Sequence, residues 1–448
     1  MSMQAGVCHT CDLSTSVYGK HALCPDSFLP DYKRVATRSA LGYAFGRYGC
    51  NPPHLLWKSL YTHMKTIDPD PKVIVFTGDI SPHGYPDDNY KVTKETRLED
   101  LCATKFLVTK HMVEDLVAAF PNTRWAYALG NNDHFPKNKY WQPYITQFGD
   151  MLLETGFFTP QQHHQFVNYG GSNYIDIDNV RYISLDCTLF VEGGEPIGVY
   201  NDPDLAEYTD DQYPMRHIVE VWIEESLADA QKKGLSVYII GHQPLATKKG
   251  KDEYDVSDSH YRQIKMIFEK YADIIRVGLF GHRNLAGLTE VLSEDFKPLF
   301  PAITAPGISP RGNNQPSFSV IHQSPHDGTV LDFEQWKFNL LDENKRAQNM
   351  SDTSYLGSWY RQEFPLQSWR TFSGESEFTA STLALFLQRL VSNQRDFFLM
   401  EIWKRGGYVG DETPESYACK ALYDKQDAMM KCLFPNQEKK CWSKSWLE

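Results

Sequence analysis

Four short β-rich runs in this sequence each end in a glycine followed by a polar side chain that can bind a metal. They are Val73-Ile74-Val75-Phe76 before Gly78-Asp79, Trp125-Ala126-Tyr127-Ala128-Leu129 before Gly130-Asn131-Asn132-Asp133, Val237-Tyr238-Ile239-Ile240 before Gly241-His242, and Ile274 to Phe280 before Gly281-His282. Helical patterns lie between them. Leu56, Leu60, Met64 and Ile67 recur at helical spacing, as do Leu98, Leu101, Val108, Met112 and Leu116, and then Met215, Val219, Trp222, Ile223 and Leu227 up to Gly234. Tyr174 to Ile177 and Val180 to Leu185 flank Asp178-Asn179 and are predicted to form a hairpin. Alternating elements of this kind predict an α/β layered domain.

In such a sheet ligands bind beyond the carboxyl ends of the strands, and a glycine there lets the chain turn sharply. Each Gly-Asp or Gly-His alone reads as an ordinary turn with a solvated side chain. Together, each after a β-run, they deliver Asp, Asn, His and His to one rim, a donor set suited to zinc, manganese or iron. The set reads as a metal centre.

Composition narrows what such a domain does. The chain has 448 residues with 45 basic and 57 acidic side chains, a formal charge of −12, which argues against holding nucleic acid by bulk charge. No apolar run approaches the roughly 18 residues that a membrane helix needs, so no membrane span is expected. Beyond about residue 330 the pattern turns helical and aromatic-rich, with Trp336, Trp359, Trp369 and Trp403. Three regions follow: a cysteine-bearing segment over 1–50, the core over 51–330, and a helical region over 331–448 packed on that core.

Seven of the nine cysteines cluster at the two ends, with Cys8, Cys11, Cys24 and Cys50 early and Cys419, Cys432 and Cys441 late, while Cys102 and Cys187 sit between in apolar stretches. Clusters of this kind suit disulfides of a secreted or lumenal protein. Two alternatives stay open: Cys8-His9-Thr10-Cys11 as half of a zinc site, although no second C-x-x-C appears, and nine reduced thiols in a cytosolic chain. Met1 to Gly6 lacks the basic and apolar regions of a signal peptide, while Asn349-Met350-Ser351 is a glycosylation sequon. Cysteines and start point in opposite directions, and the compartment stays open.

The series Gly78-Asp79-Ile80-Ser81-Pro82-His83, Gly130-Asn131-Asn132-Asp133-His134-Phe135-Pro136, Gly241-His242 and Gly281-His282-Arg283-Asn284 resembles the calcineurin-like metallophosphoesterases, and within them the acid sphingomyelinase-like phosphodiesterase branch. The segment Phe300 to Pro306, the early cysteines and the cysteine-bearing tail fit as well. The resemblance runs over the chain from about Cys8 onward. It implies a β-sandwich flanked by helices that holds two metals bridged by one aspartate, and a phosphodiester or nucleotide-like small molecule as substrate. It places Asp79 at the bridge, Asn131, His242 and His282 as the remaining ligands of the second metal, and His83 near the substrate phosphate. It also implies two disulfides among the early cysteines and at least one bond among the late ones; Cys187, which follows the strand Tyr182 to Leu185, is expected to be buried and unreactive.

Three departures stand out, two at ligands of the first metal and one at the catalytic histidine. No Asp-x-His precedes Cys8, so the chain is expected to begin just after the family's first strand; Asn284 stands where the family has a second histidine; Asn132 stands at the catalytic histidine. An amide does not shuttle protons near neutral pH. His134, two residues on, is a conceivable substitute. The chain is therefore expected to hold one divalent metal, zinc before manganese or iron, with the other site lost. Two functions remain. One is a phosphodiester or nucleotide phosphohydrolase of weak or altered activity; the other is a silent pseudoenzyme serving as a structural component or binding a protein partner.

Overall fold

The computed structural model describes residues 2–5, 44–46, 48, 52–81, 98–135, 137–138, 140–190, 212–245, 258–293, 295, 297–310, 314–349, 354–362 and 366–404. These hold twelve strands and ten α-helices. Strands β1 (Ser2–Ala5), β2 (Val73–Phe76) and β3 (Arg124–Tyr127) run parallel, and β10 (Ser317–Gln323), β11 (Val330–Phe338) and β12 (Trp359–Arg361) extend the same sheet antiparallel, in the order β12-β11-β10-β1-β2-β3. The second sheet has the order β4-β5-β6-β7-β9-β8, from β4 (Asn173–Ile177), β5 (Val180–Ser184), β6 (Ser236–Ile240), β7 (Ile275–Phe280), β8 (Gly287–Leu292) and β9 (Pro298–Thr304). Val73, Val75, Ala126 and Ala128 of the first sheet share one apolar cluster with Val180, Tyr182, Tyr238, Ile240, Val277 and Leu279 of the second. The architecture is an α/β sandwich of two sheets with helices around it.

Parallel neighbours need crossover connections, and helices supply them. Helix α1 (His54–Ile67) buries Leu56, Trp57, Leu60 and Met64, and Pro69 and Pro71 follow its end. Helix α2 (Leu98–Ala119) joins β2 to β3, and α3 (Gln142–Glu154) and α4 (Pro160–Asn168) lead on to β4. The start of α4 is set by a capping box in which the Thr159 side chain accepts from the Gln162 N–H and Gln162 answers to the Thr159 N–H. Asp178 takes the left-handed conformation (φ 53°) at the β4–β5 hairpin. Helices α5 (Gln212–Lys232) and α6 (Asp258–Lys270) precede β6 and β7. The connections therefore send the ends of β2, β3, β6 and β7 to one rim.

Two expectations from the sequence are corrected. A strand does stand at Ser2–Ala5, between β10 and β2, so the chain does not start after the first strand. Its sequence, Ser-Met-Gln-Ala, carries no β pattern, and pairing on both sides holds it in place instead. The region beyond 330 opens with strands before it turns helical. In β11 the buried positions are Val330, Phe333, Gln335 and Phe338, and Asp332, Glu334 and Lys337 between them disguise the alternation. Helices α7 (Leu340–Asn349), α8 (Trp369–Ser373), α9 (Ala380–Ser392) and α10 (Gln394–Lys404) complete the described chain. Trp369, Leu383, Phe386, Leu387, Met400 and Trp403 of the last three join the apolar cluster between the sheets. The early and late cysteines, and the side chain of Cys102, lie outside the described residues. Cys187 is buried and free, and burial followed by the Asp186 charge pushes its thiol up to about 12. That environment keeps it unreactive.

Glu290 on β8 gives this fold a pH dependence. It is 1% exposed, neither carboxyl oxygen has a hydrogen-bond partner, and burial pushes its pKa from 4.5 up to about 9. The folded state thus favours the neutral acid. This contribution is complete below about pH 4.5 and is lost as pH rises toward 9, by an amount on the order of 5 kcal/mol. Glu290→Gln is expected to stabilise the protein strongly at pH 8 and hardly at pH 4, read by denaturant unfolding. Equal effects at both pH values would refute the assignment.

Candidate metal centre

Asp79 and Asn131 come from the ends of β2 and β3 in the first sheet, His242 and His282 from the ends of β6 and β7 in the second. The two halves meet around one point. His242 Nε2 lies 3.1 Å from Asp79 Oδ2, 3.0 Å from Asn131 Oδ1 and 3.1 Å from His282 Nδ1. Among the described residues, Asp79, His242 and His282 form the group of acidic, histidine or cysteine side chains that could hold a metal ion. Asn131 Oδ1 adds a fourth donor. One carboxylate oxygen, one amide oxygen and two imidazole nitrogens fit a divalent ion such as zinc or manganese.

Local chain geometry explains why glycine stands beside these donors. A Cβ on Gly130 would lie 2.2 Å from the Asp79 nitrogen and Oδ1, and one on Gly78 would lie 2.5 Å from the Gly130 nitrogen. Gly78 also has φ 90°. Only with both side chains absent can the two strand ends close on each other. Asp79 (φ 59°) and His282 (φ 70°) are left-handed despite carrying side chains, a strain that gathers at functional sites.

Hydrogen bonds orient each donor. His242 Nδ1 donates to the Thr77 carbonyl at 2.7 Å, which leaves Nε2 for the centre. Burial lowers the affinity of His242 for a proton, but Asp79, the Thr77 carbonyl and Asp133 outweigh it, and its pKa lies above the ordinary value. For His282, desolvation and then the neighbouring His242 push the pKa down to about 3, so this ring keeps a lone pair at neutral pH. Asn131 Nδ2 donates to Asn138 Oδ1 at 2.8 Å, which turns Oδ1 toward His242.

Asn132 faces Asp79. Its N–H donates to Asp79 Oδ1 at 2.8 Å and its side-chain amide donates to Asp79 Oδ2 at 2.7 Å. Asn284 (φ 57°) accepts the Gly307 N–H at its carbonyl, and its buried Oδ1 has no hydrogen-bond partner. His83 lies outside the described residues.

Two contributors escaped the sequence reading. Asp133 is fully buried and accepts from the Asp79, Ser81 and Gly130 N–H groups and the Tyr127 hydroxyl at 2.7–2.8 Å, so it ties the β2 and β3 ends together. Burial and then the Asp79 charge raise its pKa, and these bonds oppose the rise. Its place in the Gly130–Asp133 series was the available signal. The other is Asp186, just past the end of β5, which bonds His134. No glycine precedes it, so a search for glycine-ended strands passes it by.

The sequence profile of calcineurin-like phosphoesterases matches residues 53–283. Among similar curated proteins, the cyclic GMP-AMP phosphodiesterase SMPDL3A of Homo sapiens is 23% identical over 334 residues, covering 70% of this chain and 66% of that relative's length. The sphingomyelinase phosphodiesterase D of Dictyostelium discoideum is 23% identical over 381 residues, covering 82% of this chain and 76% of its own. The acid sphingomyelinase-like phosphodiesterase 3b of Homo sapiens is 22% identical over 410 residues, covering 87% and 82%. Among the described residues, no helix is long and apolar enough to cross a membrane.

Proposed function

The chain belongs to the calcineurin-like phosphoesterase family, in its acid sphingomyelinase-like branch, and from that premise we propose a slow phosphodiester or nucleotide phosphohydrolase working with one divalent metal, zinc before manganese or iron. The observation that carries this reading is the convergence of Asp79 Oδ2, Asn131 Oδ1 and His282 Nδ1 on His242 Nε2 within 3.1 Å. A scaffold has no physical need for such a cluster. A bound divalent ion would supply Lewis-acid polarisation of a phosphoryl oxygen. The chain's own part is to hold the donors. Thr77 fixes the His242 tautomer, Asn138 turns Asn131, and Asp133 sets the approach of the two strand ends.

The substrates named for the relatives, a cyclic dinucleotide and sphingomyelin, share a phosphodiester, and that shared group is the proposed target here. Hydrolysis of bis-(p-nitrophenyl) phosphate tests the reading: slow turnover that a chelator abolishes and added metal restores is expected. Turnover indifferent to chelator would overturn it. One observation favours the silent alternative. Asn132 holds Asp79 through its backbone N–H and its side-chain amide, and an amide does not give up a proton near neutral pH, so the position of the family's catalytic histidine supplies no acid to a leaving group. Absence of any metal-dependent turnover would favour that alternative, and with it a binding or structural role. The end-clustered cysteines support a secreted or lumenal location for either, and nine free thiols after non-reductive purification would argue for a reducing compartment.

A further inference from the structure

The donor set is split between two sheets, and the interface between those sheets is largely apolar. Apolar packing is non-directional, whereas metal ligation tolerates errors of only about 0.2 Å in donor position. Directional bonds across the rim must therefore set the spacing of the two halves. The His242–Thr77 bond is one. A second lies beside it, between groups that no part of the proposed chemistry uses.

His134 follows the Asn131–Asp133 turn of the first sheet, and Asp186 follows β5 of the second. His134 Nε2 lies 3.1 Å from Asp186 Oδ1, and both side chains are wholly buried. Each partner is anchored in its own half. The His134 carbonyl accepts the buried Lys105 ammonium from α2. The Asp186 N–H donates to Ser172 Oγ at 3.1 Å, and Asp186 Oδ1 also accepts the Thr188 N–H at 3.0 Å. Asp186 is adjacent to Cys187, whose sulfur packs against Gly241, the residue before His242. The pair thus joins the turn that carries Asn131 to the rim that carries His242.

As structural glue the pair is poor. Among the described residues, His134 Nδ1, Asp186 Oδ2 and the neighbouring Thr188 Oγ1 are buried without a hydrogen-bond partner. Replacing such a pair by apolar side chains is commonly neutral or stabilising for a fold. We propose that His134 and Asp186 are a positioning pair: their bond fixes the Asn131 half of the metal centre against the His242 half, and metal affinity depends on it. This inference rests on the single-metal reading above.

Zinc titration calorimetry on the full chain, with thermal unfolding of the metal-free protein alongside, tests it. His134→Leu and Asp186→Leu should each weaken zinc binding about 10–100-fold, the range for partners that orient ligands. The double variant should be no weaker than either single one, because both remove the same bond. Its metal-free unfolding temperature should match or exceed that of the unmodified protein, which a merely structural role would not allow. Asp186→Asn keeps an oxygen that accepts from His134 and should restore binding to within about threefold. If a leucine variant does not fold, His134→Asn and Asp186→Ser, polar but too short to bridge, carry the same expectation. Folded variants that bind zinc as tightly as the unmodified chain, or losses that add in the double variant, overturn the inference alone. An unmodified chain that binds no zinc removes the metal reading and this inference together.

Discussion

Replacing His242 with alanine is expected to abolish divalent-metal binding, whereas Asn284→Ala should leave it nearly unchanged. His242 Nε2 is the atom on which Asp79, Asn131 and His282 converge, all within 3.1 Å. Its Nδ1 is committed to the Thr77 carbonyl, so the ring cannot be replaced by a group that merely fills space. Loss of an orienting partner outside the ligand set already costs about 10–100-fold in metal affinity, and loss of the central ligand should exceed that. Asn284 offers only a neutral amide oxygen, which is packed against Gly307. Titration calorimetry with zinc distinguishes the two variants. Equal losses in both would mean that Asn284 is a ligand.

The second large effect concerns rate. The unmodified protein should turn over phosphodiesters and nucleotides far below the usual enzyme range of about 1–10³ s⁻¹. Loss of a general acid costs roughly 10²–10⁴ in rate, and Asn132 cannot replace one. Asn132→His should recover little. Proton transfer and nucleophile activation act as a unit, and with a single metal the latter stays incomplete. The substitution also removes the hydrogen bond that the Asn132 side-chain amide donates to Asp79 Oδ2. Steady-state kinetics on a chromogenic phosphodiester checks both statements. A turnover number in the usual range for the unmodified chain would refute them.

Much of this site was legible because its ligands follow strands at a fixed place. Asp79, Asn131, His242 and His282 each stand two to four residues past the end of a strand, directly after a glycine, and the fold brings all four together. What escaped the sequence had physical reasons. Strand β1 has no apolar pattern and owes its existence to neighbours on both sides. Strand β11 hides its alternation behind charged residues that face outward in part. Asp133 reaches the Asp79 and Ser81 N–H groups and Asp186 reaches His134, and nothing in the local sequence pairs partners that lie 52 to 54 residues apart.

One metal site is expected to remain and the other to be lost. Among the described residues, donors gather only around Asp79, His242 and His282, and a second ion beside the first would meet strong repulsion with little to hold it. Elemental analysis of the dialysed, metal-loaded protein tests this most directly. One equivalent of divalent metal per chain is expected; two equivalents would contradict the account, because a complete second site would then have to draw its ligands from residues assigned no such role.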